Sequence, residues 1–160
     1  MTMTGSAAPF IATVGAECAL LKRFIDLLER ERQLLLAGSV DDLPKLVEEK
    51  NGLARQLADL GRRRVHLLAA AGWQGEGAEL DDWLRSPAAE PSALTLWSTL
   101  RQLAGQARDL NSANGELIRL RLQHNLLALD TLLGPTGSAK LYGPDGQSRQ
   151  HGAGRISFSV

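Results

Sequence analysis

Residues 34–57 read LLLAGSVDDLPKLVEEKNGLARQL, and this stretch decides the fold because it contains the end of one helix and the beginning of the next. Gly38 directly follows a leucine-rich run, in the position where glycine commonly ends a helix. Asp41 and Asp42 then precede Pro44, which is a usual arrangement at a helix start. Because only a few residues separate the two signals, we expect two antiparallel helices packed side by side.

Apolar residues on both sides of this turn recur at alternating steps of three and four, as they do along one face of a helix. We therefore expect a first helix from about Phe10 to Leu36 and a second from Leu43 to Ala71. The face of the first helix comprises Ile11, Val14, Cys18, Leu21, Ile25, Leu28, Arg32 and Leu35. The face of the second comprises Leu43, Leu46, Lys50, Leu53, Leu57, Leu60, Arg64, Leu67 and Ala71. Lys50 and Arg64 are expected at the rim of a bundle, with their charged ends in water.

A connector rich in glycine and proline follows, from Gly72 to Pro91. Within it, the segment ELDDWL is long enough for about two helical turns. Trp73 and Trp83 lie in this connector. Since tryptophans in such a position most often cover the end of a helical bundle, we expect them to pack there rather than to form a ligand platform.

A third long helix is expected from Ser92 to Gly134, because one apolar face continues in phase through NSANG, residues 111–115. This face comprises Leu96, Leu100, Leu103, Ala107, Leu110, Asn114, Leu117, Arg121, His124, Ala128 and Thr131. The fold class expected is therefore all-α, an antiparallel bundle of three long helices and one short connector helix with coiled-coil-like packing. Residues 1–133 would form the helical bundle domain and residues 134–160 a flexible, glycine-rich C-terminal tail.

The second half of this last helix has more apolar surface than one packing face requires. On a helical wheel its first apolar arc spans about 120° and comprises Ile118, Leu122, Leu126, Leu129, Leu132 and Leu133. Its second apolar arc, beyond a mostly polar strip, comprises Leu117, Leu120 and Leu127. If one arc is exposed, it is a candidate partner site. If both are buried, they belong to a thicker bundle or a homodimer, and periodicity alone favours neither alternative.

Composition excludes several classes of protein. The 160 residues contain 18 lysines and arginines against 18 aspartates and glutamates, so no net charge attracts nucleic acid or an anionic membrane. A single cysteine, Cys18, permits neither an internal disulfide nor a multi-thiolate zinc site. The N-terminal segment lacks a basic start, and no run of about 18 apolar residues occurs. We expect a soluble cytoplasmic protein without direct membrane insertion.

No arrangement of residues typical of an enzyme is present. GPTGSAK, residues 134–140, departs from a phosphate-binding loop because its lysine follows alanine and a helix precedes it. His66, His124 and His151 lack the spacing of metal ligands. We therefore expect no catalytic residues, no metal and no cofactor.

Three stretches together resemble the FlgN family of flagellar export chaperones. They are the helix-turn-helix of residues 34–57, NSANGELI at residues 111–118, and LYGPDGQ at residues 141–147. The resemblance extends from about Phe24 to Gln147. It implies a chaperone without ATPase activity that escorts hook-associated proteins to the cytoplasmic domain of the flagellar type III export gate.

The resemblance also implies roles for particular residues. Cargo would bind the C-terminal helical region as an amphipathic helix, at Leu117, Ile118, Leu122, Leu126, Leu129 and Leu133. Tyr142 matches the tyrosine-bearing stretch with which the family docks on the export gate. The PDG sequence after it is ordinary turn chemistry, so a tyrosine that folds back onto the bundle is the alternative.

A different class of function competes with this one. A structural coiled-coil or helical-bundle module would use the same apolar helix to self-assemble, and a weak homo-oligomer is compatible with either function. Light scattering distinguishes them, because a tight oligomer that hides the last helix would leave no groove for cargo.

Overall fold

The structure is a computed structural model that describes the backbone of residues 7–74 and 77–138 and the side chains of residues 7–74 and 77–134. The described residues form four α-helices and no strand, which confirms the all-α fold. The helices are α1 (Ala7–Ala37), α2 (Leu43–Ala70), α3 (Ala78–Arg85) and α4 (Pro91–Ser138). The chain divides into two compact units, Met1–Ile118 and Arg119–Val160.

The turn between α1 and α2 forms as the sequence predicts. Gly38 adopts a left-handed φ of 75°, and the backbone N–H of Ser39 donates to the Leu34 carbonyl at 3.0 Å. This hydrogen bond closes the last turn of α1, and glycine reaches that conformation without a side-chain clash. Pro44 lies in the first turn of α2, where its missing N–H costs nothing.

Side-chain contacts within residues 7–118 define the helix directions. Glu17 and Glu31 of α1 contact Arg64 and Lys50 of α2 respectively, so α1 and α2 are antiparallel. Near the start of α1, the ring of Phe10 lies 6.1 Å from that of Trp97, and near its end Asn114 of α4 donates to the Leu28 carbonyl. The first half of α4 therefore runs parallel to α1, in an up-down-up bundle.

All four helices contribute to the main hydrophobic core. Its buried members are Phe10, Val14, Cys18, Leu21, Ile25, Leu28, Leu68, Trp73, Leu80, Leu84, Ala93, Trp97, Leu100 and Ala107. A smaller cluster between α1 and α2 comprises Leu27, Leu46 and Leu53. Trp73 is buried and Trp83 packs against the core, with their ring centroids 6.3 Å apart. The connector tryptophans are thus packing residues, as predicted.

Two polar layers cross this bundle, and each takes one side chain from α1, one from α2 and one from α4. In the Glu31 layer, the carboxylate of Glu31 accepts from Lys50 Nζ at 2.9 Å and from Asn114 Nδ2 at 2.9 Å. In the Glu17 layer, Glu17 Oε2 accepts from Arg64 Nε at 2.7 Å. The Arg64 guanidinium also lies 5.5 Å from the ring centroid of Trp97, which is a cation–π distance.

These layers correct two sequence expectations. Arg32 is exposed and Glu31 takes the inward position instead, with a side chain only 1% exposed. Lys50 and Arg64 do not extend their charged ends into water, because each contacts a buried carboxylate. A charge removed from water is stable only when an opposite charge and hydrogen bonds compensate it, and here both partners lie within the bundle.

Lys50→Met is expected to lower the free energy of unfolding by about 3–5 kcal/mol, because it leaves the buried Glu31 carboxylate without its cation. Chemical denaturation followed by circular dichroism measures the change. Arg62→Met is the matched control. Arg62 pairs with Asp59 on the surface of the same helix, and breaking an exposed pair costs about 0–1 kcal/mol. Equal losses in the two variants would contradict the importance given to the Glu31 layer.

Candidate binding surface

Asn114 of α4 forms hydrogen bonds to α1 just before the apolar segment of α4 begins. Its side chain is 1% exposed, and Nδ2 donates both to the Leu28 carbonyl at 2.8 Å and to Glu31 Oε2. The backbone through Asn114 and Gly115 keeps helical dihedral angles, and in the described part of α4 the non-helical residue is Gly134, with φ 52°. NSANG thus lies inside one continuous helix.

Burial along α4 falls away after Asn114. Leu117 and Arg121 are half-buried, and every side chain from Leu122 to Leu133 is exposed. The predicted packing face therefore holds as far as Arg121. It is wrong for His124, Ala128 and Thr131, which are exposed like their neighbours.

The first apolar arc is exposed along its whole length. The exposed fractions are 40% for Ile118, 58% for Leu122, 65% for Leu126, 53% for Leu129, 84% for Leu132 and 52% for Leu133. In the second arc Leu120 and Leu127 are also exposed, while Leu117 is half-buried. The thicker-bundle alternative required the chain to bury both arcs itself. The exposure of these residues is not consistent with that alternative.

The two arcs are separate apolar surfaces on α4, divided by polar side chains. Leu122, Leu126, Leu129 and Leu133 follow one another at steps of four, three and four, which is the spacing that a partner helix reads along one groove. The described polar side chains near this row include charged Arg119 and Asp130 as well as neutral Gln123 and Asn125. Such a surface can bind an apolar helix but offers no group suited to covalent chemistry.

Of the predicted site residues, the structure places Leu117, Ile118, Leu122, Leu126, Leu129 and Leu133 on this one helix. Tyr142, the predicted docking residue, lies outside the described residues. Glu17, Glu31 and Asn114 were missed as structural determinants. One sequence signal could have found the carboxylates: Glu17 and Glu31 are 14 residues apart, as are Lys50 and Arg64 on the partner helix.

Groups suited to metal binding or to nucleophilic catalysis are scarce in the described part of the chain. No group of three or more histidine, cysteine, aspartate or glutamate side chains there is placed to hold a metal ion. Burial, assisted by the negative charge of Glu17, raises the pKa of the Cys18 thiol. A buried thiol with a raised pKa is a poor nucleophile. Among the described helices, none is both long and apolar enough to cross a membrane.

Comparison with known proteins decides the family. The family model described as FlgN protein matches residues 1–150 of the chain. The chain belongs to the FlgN family. The match is wider than the stretch from Phe24 to Gln147 that carries the resemblance in sequence.

Two curated relatives bear the name flagella synthesis protein FlgN. The one from Proteus mirabilis is 29% identical over 140 residues, covering 86% of this chain and 88% of the relative. The one from Yersinia enterocolitica is 28% identical over 139 residues, covering 85% and 86% respectively. No solved structure matches the chain significantly. By the family match and the names of these relatives, FlgN proteins are flagellar synthesis proteins and not a known enzyme family.

Gly115→Ala is expected to raise the free energy of unfolding of this FlgN family member by about 0.5–1 kcal/mol. The residue is helical and exposed, and a Cβ atom added there meets no neighbour within 4 Å. Gly38→Ala is the matched control, since its left-handed φ makes the same change unfavourable by about 1 kcal/mol. Denaturant titration of both variants measures the difference, and a stabilising Gly38→Ala would contradict this account.

Proposed function

We propose that this FlgN family member is a cytoplasmic flagellar export chaperone. It binds hook-associated proteins through the first apolar arc and Leu117 of α4, prevents their premature assembly and delivers them to the flagellar type III export gate. Membership of the FlgN family supports the flagellar role. The finer assignment of cargo and gate rests on the resemblance together with the surface of α4.

The observation that carries this proposal is the exposure of the apolar residues after Asn114. Six large apolar side chains of the first arc are 40–84% exposed on one helix. Contiguous apolar surface of this kind is unfavourable in water and usually marks a partner site. An amphipathic helix fits the surface best, because leucines at steps of four and three match the ridges of a second helix.

The mechanism follows from the chemistry of this surface. A cargo helix would bury its own apolar face against the first apolar arc, and that face would then be hidden from other copies of the cargo. No bond forms or breaks, so release requires only that another surface competes for the same cargo face. A second contact, through Tyr142, would hold the loaded chaperone at the gate, since tyrosine supplies a large contact area with only two side-chain torsions to order.

Leu122→Asp together with Leu129→Asp is expected to abolish binding of hook-associated proteins while the protein remains folded. Both side chains are exposed in the structure, so the carboxylates face water in the free protein and are buried without partners only in the complex. Isothermal titration calorimetry against purified hook-associated proteins measures binding, and circular dichroism measures helix content. We expect at least about a hundredfold loss of affinity.

Leu120→Asp together with Leu127→Asp is the matched control. It introduces the same charges into the second apolar arc, at side chains 48% and 67% exposed. We expect this variant to keep cargo binding. Equal loss in both variants would contradict the assignment to the first arc. If light scattering showed a tight, concentration-independent oligomer that protects both arcs, self-assembly would replace the chaperone function.

Tyr142→Ala is expected to leave folding and cargo binding unchanged and to weaken binding to the cytoplasmic domain of the export gate. The reason is the loss of one aromatic anchor, a type of residue that often dominates binding energy. Pull-down of the loaded chaperone with the gate domain measures the effect, and Tyr142→Phe is the control that retains the ring. If Tyr142→Ala weakened cargo binding to the same extent, the proposed division between cargo and gate contacts would be wrong.

A further inference from the structure

The two polar layers match each other in spacing along α1 and α2. Glu17 and Glu31 are separated by 14 residues, and their partners Arg64 and Lys50 are separated by 14 residues in the opposite direction. Both ion pairs therefore form in one antiparallel register. All four side chains are inside the bundle, with exposed fractions of 18% or less.

Any other heptad register would break both pairs together. A slip of seven residues between α1 and α2 would bring Glu31 opposite Leu57 or Leu43 and leave its carboxylate without a cation. The leucines themselves would tolerate such a slip, because they recur on the same face in each heptad. The penalty for burying unpaired charges makes the observed register the only one that satisfies all four groups.

Each layer also selects a particular residue of α4. The Glu31 layer takes the amide of Asn114, which donates to Glu31 Oε2, and the Glu17 layer takes the ring of Trp97, which faces the Arg64 guanidinium. The N–H of the Trp97 indole donates in turn to Asp81 of α3 at 3.2 Å, which fixes the ring. A seven-residue slip of α4 would place Arg121 where Asn114 contacts Glu31, and Ala104 beside Arg64. It would put two cations against the single Glu31 carboxylate and would remove the ring from the Arg64 guanidinium.

Selection of this kind matters because α4 contains two leucine-rich segments. The first, from Leu96 to Leu110, packs in the bundle, and the second, from Leu117 to Leu133, is mostly exposed. Apolar contacts are not directional and would accept either segment. Residues 117–133 contain one asparagine, Asn125, and no tryptophan, so this segment cannot supply the ring that Trp97 places against Arg64.

We propose that the Glu17 and Glu31 layers are specificity determinants that select residues 93–114 of α4 as the third helix of the bundle. They exclude the leucine-rich residues 117–133, whether of the same chain or of a second copy. The layers thereby keep the exposed segment from packing against the α1–α2 pair. This selection depends only on the contacts within residues 7–118 and holds whatever partner the exposed arcs bind.

The test replaces the Glu31 layer by apolar side chains of similar volume, as Glu31→Met, Lys50→Met and Asn114→Leu in one chain. Spin labels at Ala12 and Gln106, both exposed, report the register of α4 against α1 in a Cys18→Ser background. The native chain is expected to give one distance population by double electron–electron resonance. The variant is expected to fold and to give further populations, displaced by up to about 10 Å for one heptad, or a molar mass that rises with concentration.

A folded variant with the single native distance and the native molar mass would overturn the proposal. Asp59→Leu with Arg62→Met is the matched control, because it removes an exposed ion pair of α2 and leaves both layers intact, and it should retain the single distance. A second population in that control would also count against the proposal. If the triple variant does not fold, the same measurement on Glu17→Met with Arg64→Met decides, with the same outcomes.

Discussion

The buried carboxylate of Glu31 is the constraint on which the arrangement of the three long helices depends. It lies on α1, is bound by Lys50 of α2 and accepts a hydrogen bond from Asn114 of α4. A carboxylate with 1% exposure is tolerated only where both partners are present, so the bundle satisfies it in one geometry. The leucines supply most of the cohesion, and Glu31 determines how they are aligned.

Local sequence patterns predicted the fold, because short stretches of sequence are enough to indicate where helices end and which residues form an apolar face. Gly38 and Pro44 mark the turn between α1 and α2, and both act as expected. The inward position near the end of α1 was predicted wrongly as Arg32 instead of Glu31. Steps from Leu28 to Leu35 through either residue alternate three and four, so periodicity cannot separate them. Lys50 on another helix makes the difference, and a local pattern does not contain that contact.

The candidate surface was also predicted only in part, because a local pattern does not contain the contacts with other helices. A helical wheel of α4 identified two apolar arcs from the positions of the apolar residues alone, and the structure leaves the first arc exposed. The packing face was extended too far, through His124 to Thr131, because a periodic pattern continues whether or not another helix faces it. Where burial ends is set by which side chains of the bundle α4 meets, and Asn114 is a buried polar contact with α1 shortly before burial ends.

The size of the exposed surface indicates how tightly it can hold a partner. Complete burial of a leucine side chain contributes about 1.5–3 kcal/mol, and the six residues of the first arc are already partly covered, so together they supply on the order of 7 kcal/mol. A partner helix brings a comparable apolar face, while association costs about 4–15 kcal/mol. The balance is therefore at most about 10 kcal/mol in favour of binding, which corresponds to a dissociation constant no tighter than about 10⁻⁷ M. In the proposed chaperone function, binding of this kind would shield the apolar face of a cargo helix, and a competing surface would be sufficient to remove it without any step that consumes a nucleotide.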